Sequence, residues 1–503
     1  MTEAAYGGFD LGTSGMKATL FDESGIAVAR GAVRYLTSRP SAGASEQAPR
    51  DWVNAFTALV RELGAVVPTS NWRAIGLSGM IPTLVTLGPD GEPNGRAITW
   101  EDVRAETIAE RLREQFGADE WYRRTGQWLD GRYLVSMFLR LAEEEPVRAM
   151  ATHSLCSARD YLYLALTGEL ATDPSTAAGI GCYNLDYHAY DDELIAAANA
   201  VSTVAIPALP PVEPPAAARP LRDEIATTLG LEDAVICLGG ADSVLGAHGL
   251  GVEEPGDVAY LAGTSNVILG ATRGSPRDPA HRYLVTPLAE PQMMGIEMDL
   301  LATGSSISWL ARMFGESLRE RELLDAAEAT DPRDAPIVLP YFAPGEQGAL
   351  WDAELRGSVI GLELRHERVH LVRGLLNGIV LESRRCLEVL AESEGRSGTV
   401  KVAGGIGAND GFRRDLANAS GRVVRAPAAD DIDSSARGAA RLAAQATGGV
   451  ALPSAPLDAP QHSPDPELAE TWDELFEEYE GTRLALSAHY HAILPTKGRA
   501  VER

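Results

Sequence analysis

Residues 6–21 read YGGFDLGTSGMKATLF. Apolar residues dominate both flanks of this segment, whereas its middle, residues 12–15, consists of glycine, threonine and serine. The pattern predicts two β-strands, residues 6–11 and 17–21, joined by a glycine-rich turn. Glycine lets the main chain approach a phosphate group closely, and threonine and serine add hydroxyl donors. The turn therefore suits phosphate binding, although the same residues also occur in ordinary tight turns.

The second half of the chain repeats this arrangement. Residues 257–261 and 267–271 are predicted strands, and Gly263, Thr264 and Ser265 stand between them. Two similar hairpins indicate an internal duplication. A chain of 503 residues also exceeds what one ordinary hydrophobic core organises, so we predict two large domains.

Strands and helices alternate along the remaining chain. Long segments have apolar residues at helical spacing, and shorter apolar runs are typical of buried strands, so the fold class is predicted to be α/β. The proline-rich run 206–220 predicts a surface connection. The expected helices cover residues 51–63, 104–116, 135–145, 366–390 and 466–493, and the further expected strands cover 74–78, 234–238 and 399–402.

Domain boundaries follow from the turns. The predicted strand 234–238 leads into a turn, residues 239–242, and we place the boundary just beyond it. The expected units are an N-terminal domain, residues 1–245, a C-terminal domain, residues 246–447, and a last segment, residues 448–503, that starts as a loose tether and ends in an amphipathic helix.

Composition excludes several classes of protein. Hydrophobic residues make up 45% of the chain, but no apolar run approaches the length of a membrane span. A formal net charge of -27 argues against binding to nucleic acid or anionic lipid, which rests on clustered Lys and Arg. The N-terminus carries no basic patch, so a cytoplasmic protein is expected. The four cysteines lie far apart without a C-x-x-C pair, which predicts reduced, buried thiols.

An ordered set of motifs resembles the FGGY carbohydrate kinases of the actin, Hsp70 and hexokinase superfamily. The resemblance extends from about residue 6 to residue 445. It implies two RNase H-like α/β domains around a nucleotide cleft, and ATP and Mg²⁺ as cosubstrate and cofactor. The motifs that carry it are residues 10–17 (DLGTSGMK), 166–169 (LTGE), 173–175 (DPS), 239–242 (GGAD), 263–265 (GTS), Gly304 with 309–310 (WL), 404–409 (GGIGAN) and 438–440 (GAA).

The resemblance implies roles for single residues. Asp242 is implied to be the general base that takes the proton from the sugar hydroxyl, and it also stands with Asp10 among the expected metal-binding carboxylates. After a buried strand and a glycine pair, a carboxylate can project into a cleft, but the same residue can also cap a turn. Lys17 reaches phosphate or is a solvated strand residue. The expected nucleotide-binding residues are Gly12, Thr13, Ser14, Lys17, Gly263, Thr264, Ser265, Gly304, Gly404, Gly405 and Asn409.

The sugar side departs from the family. Xylulose kinases of the family carry Gln-Met-His where this chain has Met80, Ile81 and Pro82, so the sugar-binding histidine is missing. Trp100, Asp102 and Arg104 resemble the family's Trp-x-Asp-x-Arg element, although Trp100 can also be a core aromatic and Asp102 a helix cap. These six residues, with Asp242, are the expected substrate-binding set. Two further departures are Gln347 and Asn377.

The expected function is ATP-dependent phosphorylation of a small carbohydrate, with a pentulose such as xylulose as the first choice. A kinase for gluconate or a polyol is the alternative, because residues 98–105 also resemble the gluconate branch. A sugar-binding regulatory protein with weak turnover is an alternative from another class. Many relatives form dimers, so the resemblance implies a homodimer as well.

Overall fold

A computed structural model describes residues 4–263, 265–315, 320–343, 348–352, 354–395, 398–428, 433–448 and 451–493 of the chain. Its strands are β1 (Ala5–Leu11), β2 (Gly15–Asp22), β3 (Ala27–Arg34), β4 (Glu46–Gln47), β5 (Trp72–Gly79), β6 (Thr83–Leu87), β7 (Ala97–Thr99), β8 (Ser154–Cys156), β9 (Tyr183–Asn184), β10 (Ala189–Tyr190), β11 (Ala218–Pro220), β12 (Val235–Ala241), β13 (Val258–Ala262), β14 (Asn266–Arg273), β15 (Leu284–Pro287), β16 (Met293–Leu300), β17 (Ile337–Leu339), β18 (Ser358–Ile360), β19 (Val400–Gly404) and β20 (Val424–Arg425).

The helices alternate with these strands, as the sequence predicts. They are α1 (Pro49–Gly64), α2 (Glu106–Phe116), α3 (Ala118–Thr125), α4 (Leu134–Glu144), α5 (Pro146–Met150), α6 (Ala158–Thr167), α7 (Pro174–Ala178), α8 (Asp192–Ala200), α9 (Asp223–Leu229), α10 (Asp242–Gly249), α11 (Gly304–Met313), α12 (Glu320–Glu328), α13 (Arg368–Glu394), α14 (Asp410–Ser420), α15 (Ser434–Ala446) and α16 (Pro466–Ile493). Among these described helices, none combines the length and apolar character that crossing a membrane requires.

Two six-stranded sheets have the same plan. The first has the order β11-β12-β5-β1-β2-β3, and the second has the order β15-β16-β14-β13-β19-β20. Each sheet contains an antiparallel hairpin, β1-β2 in the first and β13-β14 in the second. The first strand of each hairpin also pairs parallel with a later strand, β1 with β5 and β13 with β19. The predicted hairpins and the predicted duplication are therefore present in the structure, and the predicted α/β fold class is confirmed.

The first sheet collects three strand ends at one edge. β5 pairs parallel with both β1 and β12, so the carboxyl ends of all three strands point the same way. Residues that follow such ends lie in the crevice where ligands bind in open α/β sheets. Gly12, Met80 and Asp242 directly follow these ends.

Asp242 does not lie in a turn, and that part of the sequence prediction was wrong. β12 continues through the glycine pair to Ala241, and Asp242 is the first residue of α10. Gly239 has a φ of +74° and the pairing with β5 is irregular between Cys237 and Gly240, so the glycines produce a bulge within the strand instead of ending it.

The proline-rich segment 206–220 is mostly irregular, as predicted, except at its end. Residues 218–220 form β11, which pairs antiparallel with β12 at the edge of the first sheet. Proline is tolerated there because an edge strand leaves one side of its backbone unpaired.

Helix α15 follows the elements of the second sheet in sequence but packs on the first sheet. A Cβ atom at Gly8 of β1 would stand 1.7 Å from the carbonyl oxygen of Ala436, and one at Gly76 of β5 would stand 2.0 Å from that of Ala439. The glycines therefore allow the helix backbone to lie directly on the strands. α15 also packs closely on α10.

The C-terminal segment is attached to the rest of the protein. Its described residues before α16 contain no helix or strand, but the amide of Ala455 donates to the carbonyl oxygen of Gly249 at 2.8 Å, and His462 forms a bridge with Val424. α16 buries Trp472 and Tyr479 in the core of the second half. The hydroxyl of Tyr479 donates to the buried Glu382 at 2.8 Å, so the amphipathic face contributes a polar contact as well as apolar area.

Candidate active site

A cavity of about 340 Å³ lies between the two sheets, at the edge where the three strands of the first sheet end. A contact between the halves borders it, because the side-chain amide of Gln127, which lines the cavity, donates to the carbonyl oxygen of Val285 at 2.9 Å. The polar residues that line it are Thr13, Gln127, Arg132, Tyr133, Ser175, Asp242, Ser243, Ser265, Thr286, Glu297, Asp299, Ser434 and Ser435.

Asp242 faces this cavity from the first turn of α10. The main-chain amide of Ser243 donates to its Oδ1 at 2.9 Å, and the hydroxyl of Ser435 donates to its carbonyl oxygen at 3.0 Å. Burial and, after it, the negative charges of Asp10 and Glu297 together raise the pKa of Asp242 to about 7, against the amide hydrogen bond from Ser243, which lowers it. A carboxyl group with this pKa exchanges a proton readily near neutral pH.

Asp10 is a second carboxyl group at the same ends of the strands, and like Asp242 it is partly buried. The hydroxyl of Ser78 donates to its Oδ1 at 2.7 Å. Burial raises the pKa of Asp10, and the hydrogen bond from Ser78 and the charge of Lys17 act in the opposite direction. Lys17 itself is largely exposed and lies 3.8 Å from Asp433, so its ammonium group partly balances the acidic edge.

Each glycine-rich hairpin is closed by a main-chain hydrogen bond from its first glycine, to a carbonyl oxygen three residues later in the first hairpin and two residues later in the second. The amide of Gly12 donates to the carbonyl oxygen of Gly15 at 3.1 Å, and the amide of Gly263 donates to that of Ser265 at 2.9 Å. Thr13, Gly263 and Ser265 line the cavity, so one hairpin from each sheet reaches it. Thr264 lies outside the described residues.

The third glycine turn brings one more predicted residue to the cavity. Gly404 lines it with a φ of +97°, and a Cβ there would stand 2.2 Å from the carbonyl oxygen of Ala262, so only glycine fits. Asn409 instead caps α14, accepting from the amide of Phe412 at 2.7 Å. The predicted nucleotide residues outside the lining of this cavity are Gly12, Ser14, Lys17, Gly304, Gly405 and Asn409.

The sugar-side prediction divides into two groups. Met80, Ile81, Pro82 and Trp100 line the cavity, and the Ile81–Pro82 peptide bond is cis. The indole Nε1 of Trp100 donates to the hydroxyl of Thr13 at 2.9 Å. The first glycine hairpin and the aromatic wall of the cavity are therefore directly connected.

Asp102 and Arg104 are not part of this lining. Asp102 is buried and accepts from the amide of Ser45 at 3.0 Å and from Nη2 of Arg104 at 2.6 Å, and Arg104 also pairs with Glu46 at 2.9 Å. These groups satisfy one another, so the structure gives them the role of supporting the loop that carries Trp100.

Sequence reasoning missed the residues that come from distant parts of the chain. Gln127, whose Oε1 accepts from the hydroxyl of Tyr133 at 2.9 Å, carried no motif, and neither did Arg132. Glu297 and Asp299 did carry a signal, because they alternate with apolar residues in the segment MMGIEMDL, residues 293–300. Acidic residues at alternate positions of a buried strand indicate one face that is not part of an apolar core.

The two remaining departures from the family pattern lie elsewhere. Gln347 is outside the described residues. Asn377 is buried in α13, and its amide donates to the carbonyl oxygen of Pro332 at 2.8 Å. Asn377 therefore links α13 to the 3-10 turn Pro332–Asp334 and is not part of the cavity lining.

Comparison with known proteins gives a consistent result. Residues 5–249 match the family model of the N-terminal domain of the FGGY family of carbohydrate kinases, and residues 258–447 match its C-terminal domain. The chain is 30% identical over 450 residues to a xylulose kinase of Bacillus subtilis, covering 88% of each protein. The structure is similar to the crystal structure of a gluconate kinase from Lactobacillus acidophilus, with a TM-score of 0.89, 26% sequence identity and coverage of 97% of this chain and 99% of that chain. It is also similar to the crystal structure of a xylulose kinase from Rhodospirillum rubrum, with a TM-score of 0.86, 27% identity and coverage of 97% of this chain and 100% of that chain.

Proposed function

Because the chain belongs to the FGGY family of carbohydrate kinases, we propose that it transfers phosphate from ATP to a hydroxyl group of a small neutral ketose or polyol. A pentulose such as xylulose is the first candidate for this acceptor. The observation that supports this most strongly is the position of Asp242. Its carboxyl group faces a cavity that both glycine-rich hairpins line, at the carboxyl end of a central strand.

In this proposal Asp242 accepts the proton of the attacking hydroxyl. Phosphoryl transfer requires little covalent chemistry from the protein, so positioning and charge stabilisation dominate. A base with a pKa of about 7 is ionised in a large fraction of molecules at neutral pH and still accepts a proton readily. The hairpin residues Thr13 and Ser265, one from each sheet, would hold phosphate oxygens.

The carboxyl groups of Asp10 and Asp242 form an acidic edge that fits a magnesium ion. Asp10 raises the pKa of Asp242 through repulsion between the two carboxylates, and a divalent cation would relieve that repulsion. Mg²⁺ prefers carboxylate and water oxygens, which this edge provides. We assign Asp10, acting through water, and Asp242 as the groups that hold it. When bound, the ion neutralises charge on the phosphates.

The charge of the cavity favours a neutral acceptor over a sugar acid. Asp242, Glu297 and Asp299 line it together with one cation, Arg132, whose Nη2 already lies 2.6 Å from Asp130. An additional carboxylate from gluconate would meet this acidic lining. Gluconate remains the second candidate because of the similarity to a gluconate kinase structure. Membership of the kinase family does not support the alternative of a sugar-binding regulatory protein with weak turnover.

A substrate screen tests the proposal. ADP release coupled to a dehydrogenase should be measured with MgATP and each of a set of ketopentoses, polyols and aldonates, with acceptor-free reactions as the background. We expect the highest kcat/KM for a neutral ketose or polyol. A higher kcat/KM for an aldonate would contradict the proposed class of substrate. ADP release at the background rate with every acceptor would contradict the proposed activity.

Thr13 is expected to affect both substrates. Thr13→Val removes the hydroxyl that accepts from the indole of Trp100, so a partly buried donor loses its partner, at a cost of about 0.5–1.5 kcal/mol, and the aromatic wall shifts. The KM values for ATP and for the sugar should therefore both rise. The matched variant Thr13→Ser keeps the hydroxyl and should stay near wild type. A sugar KM unchanged in Thr13→Val would show that the contact with Trp100 does not shape the sugar site.

A further inference from the structure

We propose that Glu297 forms a hydroxyl-binding subsite on the second sheet, which reads a substrate hydroxyl other than the one that is phosphorylated. The proposal rests on the function proposed above and makes its substrate recognition more specific. It adds a contact from the second half of the chain to a sugar site that the sequence assigned to the first half alone.

The position of Glu297 on β16 separates it from the core of the second half. Met294, Ile296 and Met298 lie on one face of the strand and belong to that core. Glu297 and Asp299 lie on the other face, because side chains alternate along a strand, and both line the cavity. This second face of the sheet lies toward α10, the helix that begins with Asp242. Met293 of β16 and Leu269 of β14 belong to the same apolar cluster as Val244 of α10.

The two residues directly opposite Glu297 in the sheet are apolar. It pairs across the sheet with Leu269 on β14 and with Leu284 on β15, both of which are buried. A carboxyl group between two leucines costs free energy that a third leucine would not. No gain in packing explains the glutamate at this position, whereas a polar ligand in the cavity would.

The groups around the Glu297 carboxyl hold it in place for such a ligand. The hydroxyl of Thr286 donates to its Oε2 at 2.7 Å. Burial raises the pKa of Glu297, while hydrogen bonds from Thr286 and Ser243 and the charge of Arg132 act in the opposite direction. Ser243 follows Asp242 directly, so the subsite borders the proposed base, and the charge of Glu297 in turn raises the pKa of Asp242.

This arrangement suits a polyhydroxylated substrate that spans the cavity. One end would place its hydroxyl at Asp242, and a hydroxyl further along would donate to Glu297. A hydrogen bond between a neutral hydroxyl and a charged group contributes more than one between two neutral groups. Because the two carboxyl groups belong to different halves of the chain, a substrate that contacts both is bound fully only when the halves are held together.

The test uses the full-length protein, MgATP and the neutral acceptor with the highest kcat/KM, together with analogues that each lack one of its hydroxyls. Glu297→Leu should lower kcat/KM for the complete acceptor by about 10- to 100-fold, as expected for the loss of a hydrogen bond to a charged group. The KM for ATP should stay within about twofold of wild type. One deoxy analogue should be used equally well by wild type and by Glu297→Leu, because the hydroxyl and its partner form one interaction.

Two variants serve as controls. Glu297→Gln keeps the size and a hydrogen-bonding oxygen, so it should fold like wild type and lose less activity than Glu297→Leu. Glu290→Gln changes a carboxyl group on the connection that leads into β16, where Glu290 lies 3.1 Å from His248, and should leave the preference among the analogues unchanged.

The outcomes separate this proposal from the proposed function. If wild type phosphorylates a neutral acceptor and a folded Glu297→Leu or Glu297→Gln variant discriminates among all the deoxy analogues as wild type does, the subsite is refuted and the kinase function stands. If wild type phosphorylates none of the neutral acceptors, the proposed function fails first. A thermal melting curve of each variant shows which of them are folded.

Discussion

Replacing Asp242 with asparagine is expected to lower kcat by about a hundred- to ten-thousand-fold. The substitution keeps the size of the side chain and an oxygen that can accept from the amide of Ser243, so α10 should still begin at this residue. It removes the group that we propose as the acceptor of the proton from the substrate hydroxyl. Because that interaction exists only in the transition state, kcat and kcat/KM should fall together.

Binding and folding measurements complete this test. ATP affinity of Asp242→Asn, measured by calorimetry, should stay near wild type, and its melting temperature should not fall. Asp233→Asn is a matched control, because Asp233 is exposed on the loop before β12. If Asp242→Asn melts at a lower temperature but keeps most of its turnover per folded molecule, Asp242 has a structural role and the base must be another group.

The pH dependence gives an independent measure of the same base. The pKa of Asp242 is raised to about 7, so in wild type kcat/KM for the sugar should rise with pH as this carboxyl group loses its proton. A bound cation lowers that pKa, so the midpoint should fall at or below about 7. Asp242→Asn should flatten this acidic limb. Retention of the limb in the variant would assign it to another group.

Gly438→Ala is expected to reduce the free energy of unfolding by about 3 kcal/mol or more, the upper end of what overpacking usually costs. The new Cβ would stand 1.9 Å from the carbonyl oxygen of Leu245. That oxygen belongs to the backbone of α10 and cannot move by a change of rotamer, so α10 and α15 would have to separate. Thermal or chemical denaturation measures the loss.

A second helical glycine provides the control. Gly481 lies in α16, and a Cβ there would meet nothing within 4 Å. Alanine is favoured over glycine in a helix interior by about 0.5–1 kcal/mol, so Gly481→Ala should stabilise slightly. Equal stability changes in the two variants would show that the contact between α10 and α15 does not determine tolerance at Gly438. Since α10 carries Asp242, Gly438→Ala should also reduce turnover in the folded fraction.

Features that depend on local sequence could be predicted. The hairpin that places Asp10 opposite Lys17 is determined by a short apolar pattern around glycine, and it forms as expected. The same holds for the α/β fold and for the carbohydrate kinase family, which are confirmed. The role of Asp242 stays a prediction, but its position at the cavity agrees with what the strand and the glycine pair indicated.

Features that depend on distant pairs could not be predicted. Arg104 pairs with Glu46, 58 residues earlier, and this contact keeps it away from the cavity lining. Glu297 reaches the cavity only because the second sheet faces α10, which no local pattern specifies. The glycine pair at residues 239 and 240 predicts a turn, but glycine pairs also occur in bulges, and only the pairing with β5 distinguishes the two.

The path of α15 has a consequence for the order of events during synthesis. A ribosome makes the strands of the first sheet early, but the helix that lies on Gly8 and Gly76 is made only with residues 434–446. Until then the nascent first sheet lacks the helix that packs on these two glycines, although domains generally fold as units from the N-terminus during translation. The N-terminal half of this enzyme thus cannot reach its final packing until nearly the whole chain has been translated, and a chain truncated before residue 434 would leave the glycine-lined strands open to other nascent proteins.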